Sequence, residues 1–534
     1  VSEAEIDSAA YHVLRARMKL GLFDDPNLNP YNKISPSVVG CEKHSQLALE
    51  AARQSIVLLK NNKKMLPLNP QKIKSIAVVG INAGNCEFGD YSGTPMNQPV
   101  SILEGIKKRV GDQIEVMYSP WVSSASGYEM ITKAHFPNGL NAEYYDNKDL
   151  AGTPKTRIDD NINFEPANQA PDPFLPKSPL SIRWSGDLVP TVSGKYTLAF
   201  ATDDGCRLYI DGKKLIDSWH NRGVQADSVS LYLEKGKKYK LVAEYFDDGG
   251  EASAKLYWHA PDTSKKDLID LYGNAGDIMR KCDLTIAVLG INKSIEREGQ
   301  DRNSIELPKD QQAFIEEAYK INPNTIVVLV AGSSLAINWI DEHIPAIVNA
   351  WYPGEAGGIA VAEVLFGDYN PGGRLPLTYY RGLDELPAFD DYDIRKGRTY
   401  QFFEKTPLYA FGHGLSYTTF AYKKLNIDSA SDTIKVSFTL KNTGKYEGDE
   451  VAQLYVKYQG TESSIKLPLK QLKGFERVHL KKGESRQVTL TVPKSELRFW
   501  NEESGEFYTP VGDYLFMVGT ASDAIKLQQM VTLK

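Results

Sequence analysis

Short runs of consecutive apolar residues alternate with amphipathic segments over two separate parts of the chain. An uninterrupted apolar run of this length is typical of a strand that is buried on both faces of a parallel sheet. Strands that alternate with helices form a parallel or mixed sheet with helices on both sides. The pattern predicts an α/β sandwich with strands at residues 76–80, 284–290, 325–331 and 346–351 and helices at residues 43–60, 101–110, 309–321, near 335 and at 357–366.

Between these two parts the pattern becomes an alternation of apolar and polar residues. It continues over residues 139–258, and Asp-Gly pairs such as Asp204-Gly205 mark turns within it. Period-two alternation broken by such turns is typical of an antiparallel β-sandwich. Because the two ends of a sandwich lie close together, we expect this unit to be inserted into a surface loop of the α/β domain.

The two ends of the chain add further elements. Residues 3–20 predict a helix with an apolar stripe, and alternation returns from about residue 421, as in an immunoglobulin-like sandwich. A chain of 534 residues is also too long for a single core. The predicted domains are a terminal helix at residues 1–25, an α/β sandwich at residues 26–134 and 261–412, an inserted antiparallel β-sandwich at residues 135–260 and an immunoglobulin-like β-sandwich at residues 413–534.

The composition excludes several classes of partner. A formal net charge of −6 and a pI near 5.9 argue against nucleic acid and anionic membranes as partners. No apolar run reaches the length of a transmembrane helix. The four cysteines show neither CxxC nor metal-ligand spacing, so they predict no disulfide framework and no metal site.

The candidate chemistry lies in one charged loop, residues 295–308, which follows the predicted strand at residues 284–290. Loops at the carboxyl ends of parallel strands are where open α/β sheets bind their ligands. Glu296 and Glu298 are two residues apart, so in an extended segment they point in opposite directions, and one of them at most faces a given cleft. The structural alternative is a solvated loop with exposed ion pairs, which are common and contribute little stability.

Four segments carry a resemblance to a known family: LGLFDDP at residues 20–26, DYSGTP at 90–95, the Gly- and Pro-rich segment at 350–379 and GRTY at 397–400. The chain resembles the portion of glycoside hydrolase family 3 that lies C-terminal to the catalytic (β/α)8 barrel. By this resemblance residues 1–25 are the terminal helix of a missing barrel, and residues 413–534 are a fibronectin-type-III-like domain. Residues 135–260 resemble the anthrax protective-antigen-like domain.

The resemblance also implies roles for individual residues. Glu296 falls on the general acid/base of the family, Glu298 is the alternative, and Asp301 and Arg302 brace the loop. The family's nucleophile is an Asp in a Ser/Thr-Asp-Trp motif on the barrel, and this sequence does not contain that motif. The segment at residues 217–219 has the same letters in another order, inside the inserted sandwich.

The resemblance implies an exo-acting retaining β-D-glycosidase that releases terminal glucose from β-glucosides and cello-oligosaccharides. The segments at residues 90–95 and 397–400 are closer to the xylosidase branch, so a β-xylosidase acting on xylo-oligosaccharides is the alternative. The expected partners are these β-linked oligosaccharides and the barrel, with no nucleic acid, no membrane and a homo-oligomer left open. The expected location is periplasmic or extracellular, and without the barrel the chain is expected to be inactive.

No cofactor is implied, and two interpretations stay open at one pair of acidic residues. An adjacent Asp pair holds calcium in fungal lectins that resemble the inserted domain, and Asp203 and Asp204 could form such a pair. Two carboxylates are too few to define a calcium site, and the structural alternative is a turn with a capped backbone. A non-catalytic carbohydrate-binding protein is the second alternative function. A Ser-His-Asp hydrolase is discounted, because the sequence contains no GxSxG nucleophile elbow.

Overall fold

The computed structural model describes residues 1–89, 91–93, 95–120, 129–164, 179–222, 225–249, 252–261, 275–460, 466–501 and 504–534. In these ranges the helices are α1 (Glu3–Lys19), α2 (Glu42–Ser55), α3 (Ile102–Val110), α4 (Ala275–Lys281), α5 (Lys309–Ile321), α6 (Asn338–His343), α7 (Gly357–Phe366) and α8 (Thr399–Phe402). The strands are β1 (Val57–Asn61), β2 (Ser75–Val79), β3 (Glu115–Ser119), β4 (Glu129–Met130), β5 (Leu140–Tyr145), β6 (Lys155–Asp159), β7 (Asn163–Phe164), β8 (Leu180–Leu188), β9 (Gly194–Thr202), β10 (Cys206–Ile210), β11 (Lys213–Ser218), β12 (Gln225–Leu233), β13 (Tyr239–Asp247), β14 (Ala254–His259), β15 (Leu284–Gly290), β16 (Thr325–Val330), β17 (Ala346–Asn349), β18 (Phe420–Asp428), β19 (Thr433–Asn442), β20 (Gly448–Tyr458), β21 (Gln471–Leu480), β22 (Ser485–Pro493), β23 (Phe499–Asn501), β24 (Glu506–Tyr508), β25 (Gly512–Gly519) and β26 (Ile525–Leu533).

The predicted α/β sandwich is built on a mixed six-stranded sheet in the order β1-β17-β16-β15-β2-β3. All neighbours pair in parallel except β1, which runs antiparallel to β17 at one edge. The sequence pattern placed residues 57–60 in a helix, and this is wrong: α2 ends at Ser55 and these residues form β1. The apolar run in β1 suits a helix or a strand equally well, and the open edge of β17 decides between them.

Burial of both sheet faces explains the continuous apolar strands. Every residue of β15 is buried, and one hydrophobic cluster covers each face of the sheet. On one face α3 and α7 approach closely through two glycines, since a β-carbon on Gly105 would lie 1.9 Å from the carbonyl oxygen of Gly358. Only residues without side chains allow backbones to come this near.

The inserted unit is an antiparallel sandwich with its own core. Its sheets have the orders β11-β10-β13-β8-β5-β6 and β12-β9-β14-β4, and Trp184 and Trp258 are among the fully buried side chains between them. The short strand β4 pairs with β14. Among the described residues, the first strand that joins the sheets of the inserted unit is therefore β4, which lies ahead of residue 135, where the sequence predicts the start of this unit.

The C-terminal part of the chain is a β-sandwich with sheets β18-β19-β22 and β21-β20-β25-β26 and a separate β23-β24 hairpin. A buried ion pair of 2.8 Å joins Arg374, which follows α7, to Glu450 on β20. The chain is thus multidomain, with an α/β sandwich interrupted by an antiparallel β-sandwich and followed by an immunoglobulin-like one, as the sequence predicts.

Helix α1 packs its apolar stripe against nothing in the described part of the chain. Ile6, Val13, Leu14 and Met18 are all exposed, and no residue of α1 is buried. Ser2 and Glu5 nevertheless form a complete capping box at its first turn. The helix is well specified locally, but its apolar stripe is exposed in the described part of the chain.

Candidate active site

Three neighbouring parallel strands direct their following loops to one edge of the α/β sheet. The loop after β15, residues 291–308, is called here the carboxylate loop. It lies between the loop after β2 and the loop after β16, because β15 pairs with both strands. Lys293 N–H donates to Glu87 Oε1 at 3.0 Å on one side, and Ala336 N–H donates to the Ile305 carbonyl at 2.7 Å on the other.

The start of the carboxylate loop is fixed by a glycine and a buried glutamine. Gly290 has a φ of 132°, and a β-carbon there would lie 1.9 Å from the Val330 carbonyl oxygen. The side chain of Gln311 on α5 accepts from the Gly290 N–H and donates to its carbonyl, both at 2.7 Å. Since Gln311 is buried, these hydrogen bonds hold the end of the strand rigidly.

A tight turn forms the tip of the carboxylate loop. Arg297 and Gln300 exchange backbone hydrogen bonds of 3.2 and 3.0 Å, with Glu298 and Gly299 between them. Gly299 has a φ of 72°, which its lack of a side chain allows. Glu298 stands at this tip and is exposed.

Glu296, in contrast, is held on the inner side of the loop. Its carboxylate accepts from the Ser333 hydroxyl at 2.6 Å at Oε1 and 2.9 Å at Oε2, and it forms an ion pair with Arg302. Arg302 also donates to the Ser333 hydroxyl at 2.8 Å and to the Ser334 carbonyl at 3.1 Å. The side chains of Glu296 and Arg302 are 27% and 11% exposed, so the pair is partly shielded from solvent.

A tyrosine borders this network. Tyr352 follows β17, and its ring lies so close to the loop after β16 that a β-carbon on Gly332 would be 2.7 Å away. Burial raises the pKa of Tyr352, and the carboxylates of Glu87 and Glu296 raise it further. The phenolic hydroxyl of Tyr352 therefore stays protonated at neutral pH.

The arrangement separates the two predicted carboxylates by environment. Glu296 is a hydrogen-bond acceptor fixed between two loops, and Glu298 is an exposed carboxylate on a turn. Arg302 braces the loop through Glu296, while Asp301 is exposed and, with Arg302, lines an adjacent cavity. An exposed carboxylate on a rigid turn can give and take protons when a second surface covers it.

The other predicted positions fall outside this edge. Asp204 accepts from the backbone N–H groups of Arg222 at 3.0 Å and Asp248 at 2.8 Å, which favours the capped-turn interpretation. The Asp203 N–H donates to the Ser253 carbonyl at 2.9 Å. Among the described residues, no three His, Cys, Asp or Glu side chains are grouped so that they could hold a metal ion.

Two further sequence features can be placed. Asp217 lies on the surface of the inserted sandwich, paired with Arg207 at 3.2 Å and Lys214 at 2.7 Å, so residues 217–219 are a structural segment. In the DYSGTP segment, Asp90 and Thr94 lie outside the described residues. No helix in the described part of the chain is long and apolar enough to cross a membrane.

Comparison with known proteins decides the family. Residues 56–417 match the glycosyl hydrolase family 3 C-terminal domain, and residues 450–522 match the fibronectin type III-like domain. The first match covers more than half of the chain. The chain belongs to glycosyl hydrolase family 3. The loop that contains Glu296 and Glu298 lies within the matched region.

Relatives in glycosyl hydrolase family 3 include enzymes with two different names. A xylan 1,4-beta-xylosidase of Xylanibacter ruminicola is 34% identical over 98% of this chain and 62% of its own length. A beta-glucosidase of Kluyveromyces marxianus is 30% identical over 90% of this chain and 61% of its own. The crystal structure of the latter in complex with glucose superposes with a TM-score of 0.65 and 29% identity, over 92% of this chain and 62% of that one. The chain therefore spans about three fifths of the length of these relatives.

Sequence reasoning missed Ser333, which is 37 residues from Glu296. The available signal was its position directly after the strand that neighbours β15. Residues that follow adjacent parallel strands meet at the same sheet edge. A Gly-Ser-Ser segment at that point could have been marked as a partner of the carboxylate loop.

Proposed function

We propose that this chain supplies the general acid/base of an exo-acting retaining β-D-glycosidase of glycosyl hydrolase family 3. The observation that carries the proposal is the carboxylate loop, in which one glutamate anchors a rigid turn and the other is presented at its tip. A retaining glycosidase needs a proton donor and a nucleophile about 5–5.5 Å apart across the scissile bond. This chain contributes the first of these groups.

The geometry favours Glu298 over Glu296 as the proton donor, which exchanges the order of preference given by the sequence. A general acid must present a protonated oxygen to the departing sugar oxygen. Both oxygens of Glu296 lie within hydrogen-bonding distance of the Ser333 hydroxyl, and Oε2 also pairs with Arg302. Glu298 is exposed at the tip of the turn, where a substrate held by a second domain can reach it.

The nucleophilic Asp lies on a (β/α)8 barrel outside this chain. Three observations support this part of the proposal: the sequence has no Ser/Thr-Asp-Trp motif, the relatives are longer than the matched part, and α1 exposes an apolar stripe. We take residues 1–25 as the terminal helix of that barrel. When the barrel covers Glu298, loss of water favours the neutral carboxyl, which is the form that donates a proton.

The proposed substrates are β-glucosides and cello-oligosaccharides, from which terminal glucose is released. The beta-glucosidases among the relatives support this choice. A β-xylosidase is the second candidate. The relative that is 34% identical over 98% of the chain is a xylan 1,4-beta-xylosidase, and the segment at residues 397–400 resembles the xylosidase branch of the family. A Periplasmic beta-glucosidase of Salmonella typhimurium, 28% identical over 98% of this chain, supports a periplasmic or extracellular location.

The test of the two carboxylates uses Glu298→Gln and Glu296→Gln in the chain combined with its barrel. We expect Glu298→Gln to lower kcat on cellobiose or xylobiose by about 10²–10⁴-fold. Azide should restore turnover of an activated aryl glycoside, because the small anion attacks the glycosyl-enzyme without a general base. Glu296→Gln should be impaired less and should gain nothing from azide. The reverse pattern would make Glu296 the acid/base.

The test of the sugar compares kcat/KM for nitrophenyl β-glucoside and nitrophenyl β-xyloside on the same preparation. A higher value for the glucoside supports the first candidate, and a higher value for the xyloside supports the second. Binding of oligosaccharides without hydrolysis of either compound would favour the non-catalytic carbohydrate-binding protein instead.

A further inference from the structure

A cavity of about 830 Å³ opens between the carboxylate loop and a second loop, residues 383–398, called here the Phe389 loop. The carboxylate loop contributes Glu296, Asp301 and Arg302 to the wall of the cavity, and the Phe389 loop contributes Pro387, Phe389 and Arg398. The volume lies within the range of sites that bind small molecules. The cavity is continuous with the loop that carries the proposed acid/base.

Phe389 is an exposed aromatic residue on a braced turn. Its side chain is 82% exposed, while the backbone around it is held by Arg398. The Arg398 guanidinium donates to the Ala388 carbonyl at 2.7 Å and to the Asp391 carbonyl at 3.2 Å, and the Asp391 N–H closes the turn on Ala388 at 3.0 Å. The three hydrogen bonds hold the backbone of this turn, and the Phe389 ring projects from it into solvent.

The two walls differ in chemistry. One offers carboxylates and a guanidinium, which exchange hydrogen bonds with hydroxyl groups, and the other offers the face of an aromatic ring. The cavity lining contains as many positive as negative side chains, namely Arg302 and Arg398 with Glu296 and Asp301. A neutral ligand with an apolar face and a rim of hydroxyl groups, such as a pyranose ring, matches both walls.

We propose that this cavity binds the sugar unit on the leaving-group side of the scissile bond, with Phe389 as its stacking platform. This inference rests on the proposed function and adds to it a residue that determines specificity for the leaving group. Tyr392 provides a matched control, because it is on the same loop, is 86% exposed and is not among the residues that line the cavity.

The test uses the chain combined with its barrel and two substrates with the same glycosyl group, a disaccharide and the corresponding β-glycosyl fluoride. The disaccharide places a sugar in the cavity, whereas fluoride leaves it empty. We expect Phe389→Ala to lower kcat/KM for the disaccharide by about three- to tenfold and to leave the fluoride within twofold. Phe389→Trp should retain the disaccharide activity, and Tyr392→Ala should change neither substrate.

Two outcomes would overturn the inference. An equal loss on both substrates would mean that Phe389 packs against the barrel, and no loss on either would mean that the ring contacts nothing during catalysis. In both cases the unmodified protein would still hydrolyse its substrates. If the unmodified protein hydrolyses neither the disaccharide nor the fluoride, the proposed function itself fails.

Discussion

The carboxylate of Glu296 accepts a hydrogen bond of 2.6 Å from the hydroxyl of Ser333. This contact ties the loop after β15 to the loop after its parallel neighbour β16. Arg302 joins both groups through its guanidinium. The three side chains form a brace at the base of the turn that carries Glu298. The position of Glu298 therefore depends on contacts that Glu296, Ser333 and Arg302 make with one another.

Loss of the Ser333 hydroxyl should weaken this brace without removing a catalytic group. We expect Ser333→Ala to lower kcat/KM of the barrel-complemented chain by roughly three- to tenfold, the equivalent of about one ordinary hydrogen bond. Ser334→Ala is the control, because the contact made there by Arg302 is to the backbone carbonyl. Equal effects of both substitutions would contradict a specific role for Ser333.

The 534-residue chain alone should not hydrolyse nitrophenyl β-glucoside or nitrophenyl β-xyloside. The reason is that the proposed nucleophile lies outside this chain and that Glu298 is exposed to solvent. The measurement is nitrophenol release at high protein concentration, with Glu298→Gln as the control for contaminating hydrolases. Turnover that disappears in Glu298→Gln would show that the chain contains a complete site.

The buried ion pair between Arg374 and Glu450 should be important for attachment of the C-terminal sandwich. The two side chains are 8% and 5% exposed, and burial raises the pKa of Glu450 although Arg374 opposes this. Removal of one member of a buried pair leaves an uncompensated charge and costs about 3–5 kcal/mol. We therefore expect Arg374→Met to lower the free energy of unfolding by this order, as measured by urea titration.

The matched control for this substitution is an exposed ion pair. Lys466 and Glu404 form one with side chains that are 47% and 62% exposed. Exposed pairs contribute about 0–1 kcal/mol, so Lys466→Met should shift the urea midpoint little. A shift as large as that of Arg374→Met would mean that burial of the Arg374–Glu450 pair is not the cause.

His413 should make the stability of the chain depend on pH. Its ring donates to the Leu59 carbonyl at 2.9 Å and stacks on Tyr409, and burial lowers its pKa below the ordinary value of 6.5. The unfolded chain therefore binds a proton below about pH 6.5 that the folded chain does not. Stability is then complete above this pH and falls as the pH decreases.

The measurement compares free energies of unfolding at pH 7.5 and pH 5.5. The difference between the wild type and His413→Gln should become smaller at the lower pH, because only the wild type loses the histidine contribution there. His12→Gln, on the exposed helix α1, should follow the wild type at both values. A constant difference between His413→Gln and the wild type would exclude His413 as the titrating group.

Local sequence patterns predicted much of the fold. The bounds of β15, α5 and α7 agree with the apolar runs and helical periods to the residue. These elements are long or strongly periodic, and the positions of their apolar residues indicate which side chains are buried. The prediction failed at β1, where a short apolar run fits both a helix and a strand.

The sequence by itself determined the family, the multidomain order and the loop that carries the candidate carboxylates, because these follow from residues that are adjacent in the chain. It left the roles of Glu296 and Glu298 open, since both are glutamates in the same loop. Only the tertiary structure decided that Glu296 contacts Ser333 and Arg302 and that Glu298 is exposed. The physical reason is that the environment of a carboxylate depends on strands that pair across the sheet, and this pairing joins residues that are far apart in the sequence.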